Sequence, residues 1–156
     1  MNTSVLRTAT ASVVVVAVLF GSAGCSLLGK QPRDAAGNLT ATASLSASQL
    51  RVGDCLLDVN TVGATVNKVT AVPCSTPHNG EVYAVGTKVL ASTQSVAEQF
   101  CTDNFEAYIG IPIEDTTLDI SYVHPQSASD TNKTITCIVA HADGSKDSVS
   151  LKGSKQ

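Results

Sequence analysis

Three residue types that do chemistry lie within eight positions of one stretch, "VPCSTPHNGEVYAV" (72–85): Cys74, His78 and Glu81. A thiolate, an imidazole and a carboxylate are ligands that zinc accepts. They are also the working parts of a cysteine nucleophile and its base. His124 and His141 would add imidazoles to such a set. The spacings argue against both uses. There is no C-x-x-C and no H-E-x-x-H, so neither thiol–disulfide exchange nor a helical zinc site is signalled. There is no G-x-S-x-G elbow, no S-x-x-K motif and no Gly-rich phosphate loop. The sequence therefore reads as a non-enzyme with no metal and no cofactor. What Cys74 can do depends on whether its thiol is free, and that depends on where the chain folds.

The first residues, "MNTSVLRTATASVVVVAVLFGSAGCSLLGK", answer this. Arg7 precedes an uncharged apolar run at 13–20, the length of a secretory h-region. Small residues 21–24 then lead into Cys25, an arrangement that resembles a bacterial lipobox. Such a signal is cut before the cysteine, whose thiol carries diacylglycerol, and two or more acyl chains anchor stably. Ser22 departs from the apolar residue usual three positions before the cysteine. An ordinary cleaved signal and an uncleaved anchor are the alternatives, although the Ser, Thr and Gly content makes a poor spanning helix. All three place the rest of the chain on the extracytoplasmic face of the cell membrane. Residues 1–24 are thus the expected signal peptide. Residues 25–49, rich in Ser, Thr and Ala and without aromatics, are expected to be a flexible tether. Residues 50–153 are expected to form one small domain.

Outside the cytoplasm an even number of cysteines reads as disulfides. With Cys25 reserved for lipid, Cys55, Cys74, Cys101 and Cys137 remain. Residues 55–61 and 65–73 read as the two strands of a hairpin around Gly63. Opposed residues in a hairpin share one index sum, and pairing Cys55 with Cys74 centres the turn near 64–65. That supports Cys55–Cys74 and leaves Cys101–Cys137. Their loops of 19 and 36 residues would contribute roughly 3 and 4 kcal/mol on the chain-entropy model. These are large amounts beside the ~5–15 kcal/mol stability of a typical domain.

The elements that must position these groups follow from period. Residues 65–73 and 81–90 are strand-like and flank "STPHNG", where Asn79-Gly80 is a turn dipeptide. Residues 92–110 change to helical period, with Ser95 and Glu98 as a capping box. Ala97, Cys101, Phe105 and Tyr108 share one face, and Gly110 and Pro112 end the helix. Residues 116–125 alternate, with Leu118, Ile120 and Tyr122 on one side. Residues 133–144 do the same with Ile135, Cys137 and Val139. Residues 147–153 read as a last short strand after an Asp143-Gly144 turn. The expected fold is α+β: a small disulfide-stapled domain with a mainly antiparallel sheet and one long helix packed on it. Residues 50–151 carry five Lys/Arg against twelve Asp/Glu, a net charge near −7. Nucleic-acid binding needs a cationic surface, so that class is excluded.

Several stretches together resemble a known family, the septum-formation domain of actinobacterial envelope proteins. They are "VGDCL" (52–56), "VPCSTPHNGEVYAV", "CTDNFEAYIG" (101–110), "CIV" (137–139) and "SVSLKG" (148–153). They occur in the family's order at similar spacing. One departure is "PQSASDTNKTITC", which lacks the Trp and the Gly-Asp-Arg-like turn usual before the last cysteine. The resemblance implies a role in septum formation during cell division and no catalytic mechanism.

The resulting expectation is a lipid-anchored binding protein of the envelope. Its partners are the bilayer, through lipidated Cys25, and an unidentified envelope or division protein. His78, Asn79 and Glu81 are the candidate recognition turn. The plainer alternative is that His78 caps the turn or pairs with Glu81. Rival functions are an envelope hydrolase with an unrecognised site and a small-ligand or metal sensor.

Overall fold

A computed structural model describes residues 31–59, 68–87, 94–124 and 134–156. The signal peptide, Cys25, the turn near 64–65 and most of "PQSASDTNKTITC" lie outside the described residues.

Six antiparallel strands form one sheet: β1 (Ala43–Leu45), β2 (Cys55–Leu56), β3 (Val69–Val72), β4 (Gly80–Thr87), β5 (Leu118–Val123) and β6 (Thr134–His141). Their order is β1-β3-β2-β4-β6-β5. The long helix is α1 (Gln94–Ile109). This is the expected α+β fold, with both expected disulfides in place: Cys55–Cys74, Cα–Cα 5.2 Å, and Cys101–Cys137, Cα–Cα 5.5 Å.

β6 runs between β4 and β5 and is buried along nearly its whole length. Its β-branched run suits a strand covered on both faces. Ile135, Cys137 and Val139 pack with Ala97, Cys101, Phe105 and Ile109 of α1. Leu118, Ile120 and Tyr122 of β5 join the same cluster, as their alternation predicts. Tyr83 packs edge-on against Phe105, with centroids 5.7 Å apart, and its hydroxyl donates to the Cys101 carbonyl at 3.0 Å. Gly110 at φ +94° ends α1 as expected, and Gly144 at φ +73° makes its turn. Ser95, expected to cap the helix, lies inside α1, and the Glu98 carboxylate accepts from Gln94 Nε2 and the Tyr122 hydroxyl, both at 2.8 Å.

The other face of the sheet corrects the tether. Residues 31–49 fold onto the domain. Leu39, Leu45 and Leu50 are buried with Leu56, Ala71, Val82 and Ile138. β1 extends the sheet by pairing with β3. The 3-10 turn Ala47–Gln49 lies against β6, its Ala47 carbonyl accepting from Thr136 Oγ1 at 3.5 Å. A segment of Ser, Thr and Ala looks unable to offset its own ordering entropy. Here three leucines and Arg33 supply the contacts that do so.

Two further expectations change. β2 and β3 are antiparallel neighbours, but Cys55 faces Val72 rather than Cys74. Cys74 lies just past the end of β3, and the disulfide reaches it there. The stretch after Cys74 is not a hairpin turn either, because β2 lies between β3 and β4 and residues 73–79 cross over it. Gly80 is absent from the positive-φ residues and begins β4. Its lack of a side chain serves close packing: a Cβ there would stand 2.6 Å from Val59 Cγ2. Residues 147–153 form no strand. Asp147 makes one isolated bridge with His78, and the chain then turns at 152–153.

Candidate functional site

Glu81, the second residue of β4, pairs with Val139 and points to the α1 side of the sheet, where it meets Tyr108. The strand gains an extra residue between Val82 and Ala84, a bulge of the kind that re-aims side chains. Glu81 is fully buried, at 0% exposure. Its Oε1 accepts from the Tyr108 hydroxyl at 2.5 Å and from Ser150 Oγ at 2.6 Å. Its Oε2 accepts from the Leu151 amide at 2.5 Å. Burial, and then the neighbouring Glu81, push the Tyr108 hydroxyl well above the ordinary range for a phenol. Tyr108 therefore stays a donor, and Glu81 clamps the C-terminal segment to the sheet and helix.

A second buried carboxylate lies nearby. Asp54, 3% exposed, accepts from Arg33 Nη1 at 2.6 Å and Nη2 at 2.8 Å, with Arg33 itself only 7% exposed. The Arg51 amide adds a third bond at 2.9 Å. The Asp54 hydrogen bond raises the Arg33 pKa. Arg33 also donates to the Gly37 carbonyl at 2.8 Å, so one guanidinium ties residues 31–49 to the loop before β2. That loop is joined to β4 by Gly53 N–H to the Val82 carbonyl and Val82 N–H to the Asp54 carbonyl.

Between these two polar knots lies a cavity of about 330 Å³, bordered by Val52, Asp54, Cys74, Tyr108, Ser150 and Lys152 among others. Val52 is 52% exposed. The Lys152 ammonium stands 5.9 Å from the centroid of the Tyr108 ring, within cation–π range. The border thus offers an apolar side chain, an aromatic ring and a cation.

The expected recognition turn is not an exposed patch. His78 is 1% exposed and pairs backbone to backbone with Asp147 at 2.9 and 2.8 Å. Its Nδ1 lies 2.8 Å from the Thr76 carbonyl. Asn79 is half-buried, and its Oδ1 accepts from the Val59 amide at 3.0 Å. Glu81 bonds to Tyr108, Ser150 and Leu151, as described above. A polar turn is expected to face water, but here each of the three residues is held by at least one hydrogen bond inside the fold. His124 packs at a tilt against Tyr122 with centroids 5.7 Å apart, and His141 Nε2 pairs with Asp147 at 2.7 Å. Among the described residues, the one His/Cys/Asp/Glu group close enough for a metal is Cys55, Cys74 and His78, whose sulfurs form the disulfide.

Sequence reasoning missed Arg33, Asp54, Tyr108 and Ser150 as site residues. The available signals were slight. Arg33 and Asp34 stand alone as charges in an uncharged stretch, and Asp54 adjoins Cys55 in "VGDCL".

Among known proteins, the chain is similar to the "Putative lipoprotein LppN" of Mycobacterium tuberculosis (strain ATCC 25618 / H37Rv). They are 32% identical over 101 residues, covering 61% of this chain and 58% of that protein. The protein of the same name from Mycobacterium bovis (strain ATCC BAA-935 / AF2122/97) is 31% identical over the same length. The chain thus spans less than two thirds of the length of these relatives. No protein-family model and no solved structure matches it. Among the described residues, no helix is long and apolar enough to cross a membrane.

Proposed function

We propose that the protein is an extracytoplasmic lipoprotein, held at the cell membrane by lipidated Cys25. Its domain binds another component of the envelope or division machinery without catalysis. The anchoring half of this reading is supported by the apolar run and small residues before Cys25, and by likeness to proteins named as lipoproteins. The septal part is supported by the order and spacing of the motifs quoted above.

One observation favours binding over hydrolysis. The buried carboxylates beside the cavity are each engaged by several internal donors, Glu81 by three and Asp54 by three. A general acid or base must reach the proton it moves, whereas these oxygens hold the fold. Val52, the Tyr108 ring and Lys152 remain as the contact groups.

Two measurements test the reading. Radioactive fatty acid should label the wild type and not Cys25→Ala, and equal labelling removes the anchor. A fluorescent fusion should concentrate at division sites, and Lys152→Glu should disperse it while leaving thermal stability unchanged. A uniform envelope signal from the wild-type fusion removes the septal role. Unchanged localisation of Lys152→Glu removes the cavity as its binding surface.

A further inference from the structure

We propose that Cys55, Cys74 and His78 form a latent metal site for a thiophilic divalent cation of the zinc type, closed by the disulfide and opened by its two-electron reduction. This goes beyond the binding role above and does not depend on it.

Two independent observations carry the proposal. The first is proximity: one ligand atom from each of the three residues lies within 4.8 Å of the others. The second is the state of the imidazole. Nδ1 lies 2.8 Å from the Thr76 carbonyl, which can only accept, so Nδ1 carries the hydrogen. In the neutral ring, Nε2 then presents a lone pair. It is buried and has no hydrogen-bond partner in the structure. A histidine that donates one ring N–H to a backbone carbonyl and leaves the other nitrogen bare is oriented as metal-binding histidines are.

The two disulfides differ in access. Cys101 and Cys137 are both buried between α1 and β6. Cys74 is half-buried and borders the open cavity. A dithiol reductant would meet Cys74 first. Its thiolate attacks Cys74 Sγ, the S–S bond breaks, and Cys55 Sγ leaves and takes a proton. The second reductant thiol then attacks the mixed disulfide, releasing Cys74 as a thiol and the reductant as its own disulfide. Two electrons and two protons pass to the protein.

Metal binding forms two sulfur–metal bonds and one Nε2–metal bond and releases both thiol protons to solvent. Zinc–sulfur bonds of about 2.3 Å in a tetrahedron set the sulfurs ~3.8 Å apart. The fourth position is filled by water or by a donor group in the cavity. Disulfide and metal would pin the same two points, β2 and the end of β3, so the domain keeps its cross-link in either state.

The test uses the full chain carrying Cys25→Ser, which removes the remaining thiol, with a phosphine reductant and cadmium as the probe. Reduced protein should bind one equivalent of cadmium, with sulfur-to-cadmium charge-transfer absorbance and release of two protons. Oxidised protein should bind none. Folded His78→Ala should bind at least about tenfold more weakly after reduction. Should His78→Ala fail to fold, cobalt bound to the reduced His78 protein decides. Intense tetrahedral d–d bands and paramagnetic shifts of the His78 ring support the site, and weak octahedral bands overturn it. Equal cadmium uptake by oxidised and reduced protein, undiminished binding in folded His78→Ala, or alkylation mapping that finds Cys101–Cys137 opening first would each overturn the proposal.

Discussion

Replacing Arg33 by Ala separates a folded N-terminal segment from a tether. In a tether the side chain would contact only water, and the change would cost almost nothing. In the structure the Arg33 side chain is 7% exposed, and its guanidinium grips Asp54, whose side chain is 3% exposed, through two hydrogen bonds of 2.6 and 2.8 Å. Removing one partner of a buried pair leaves the other charge uncompensated, at a cost of about 3–5 kcal/mol. The lower end applies here, because the Arg51 amide still reaches Asp54 at 2.9 Å. A loss of about 3 kcal/mol on a urea slope of roughly 1.5–2 kcal/mol per molar moves the midpoint down by about 1.5–2 M. The assay is urea unfolding of the oxidised chain followed by circular dichroism. The double variant Arg33→Met, Asp54→Leu should recover much of the loss, since it removes both charges and keeps apolar volume. A midpoint for Arg33→Ala within about 0.3 M of wild type would refute the reasoning and return residues 31–49 to a tether.

Two other predictions follow from the packing. Burial raises the pKa of Tyr83 and Tyr108 well above the ordinary value of 10.0, and Glu81 raises Tyr108 further. The folded state therefore keeps protons that the unfolded chain releases. Stability should be unaffected by these groups below pH 10 and should fall as pH rises above it, with phenolate absorbance from both appearing only on unfolding. Titration of both tyrosines near pH 10 in folded protein would contradict their burial. Gly80→Ala should destabilise by about 1–3 kcal/mol, the cost of overpacking, because its Cβ would meet Val59 at 2.6 Å and the Val139 carbonyl at 3.3 Å. Pairing it with Val59→Ala should recover part of that loss in thermal melting. A neutral Gly80→Ala would contradict the close packing of Gly80 against Val59.

The legible parts of the fold share a property. α1 and the β5–β6 ladder bury one side through a period that local sequence carries: Ala97, Cys101, Phe105 and Tyr108 on the helix, and Ile135, Cys137 and Val139 on the strand. The disulfide pairing was legible too, although the Cys55–Cys74 register was not. A short strand such as β2, with two residues, holds too little pattern to fix its partner. Residues 31–49 were misread because composition averages over the few side chains that matter. Arg33, Leu39, Leu45 and Leu50 are sparse in a polar stretch, and each meets a partner from another part of the chain.

By itself, then, the sequence determined the α+β class, the helix face and the strand alternation, since each depends on local period; the even thiol count pointed to disulfides, but the cysteine partners were reached through a hairpin register that the fold does not keep. The tertiary structure alone decided what Cys74, His78 and Glu81 are for. Glu81 is held by Tyr108, Ser150 and Leu151, which stand 27, 69 and 70 positions away in the chain. A polar side chain is buried only when such donors converge on it, and no window around residue 81 contains them. His78 carries the same lesson in reverse. Its local partner Thr76 fixes one ring nitrogen, the other is buried without a hydrogen-bond partner, and only the fold brings the imidazole beside the Cys55–Cys74 disulfide.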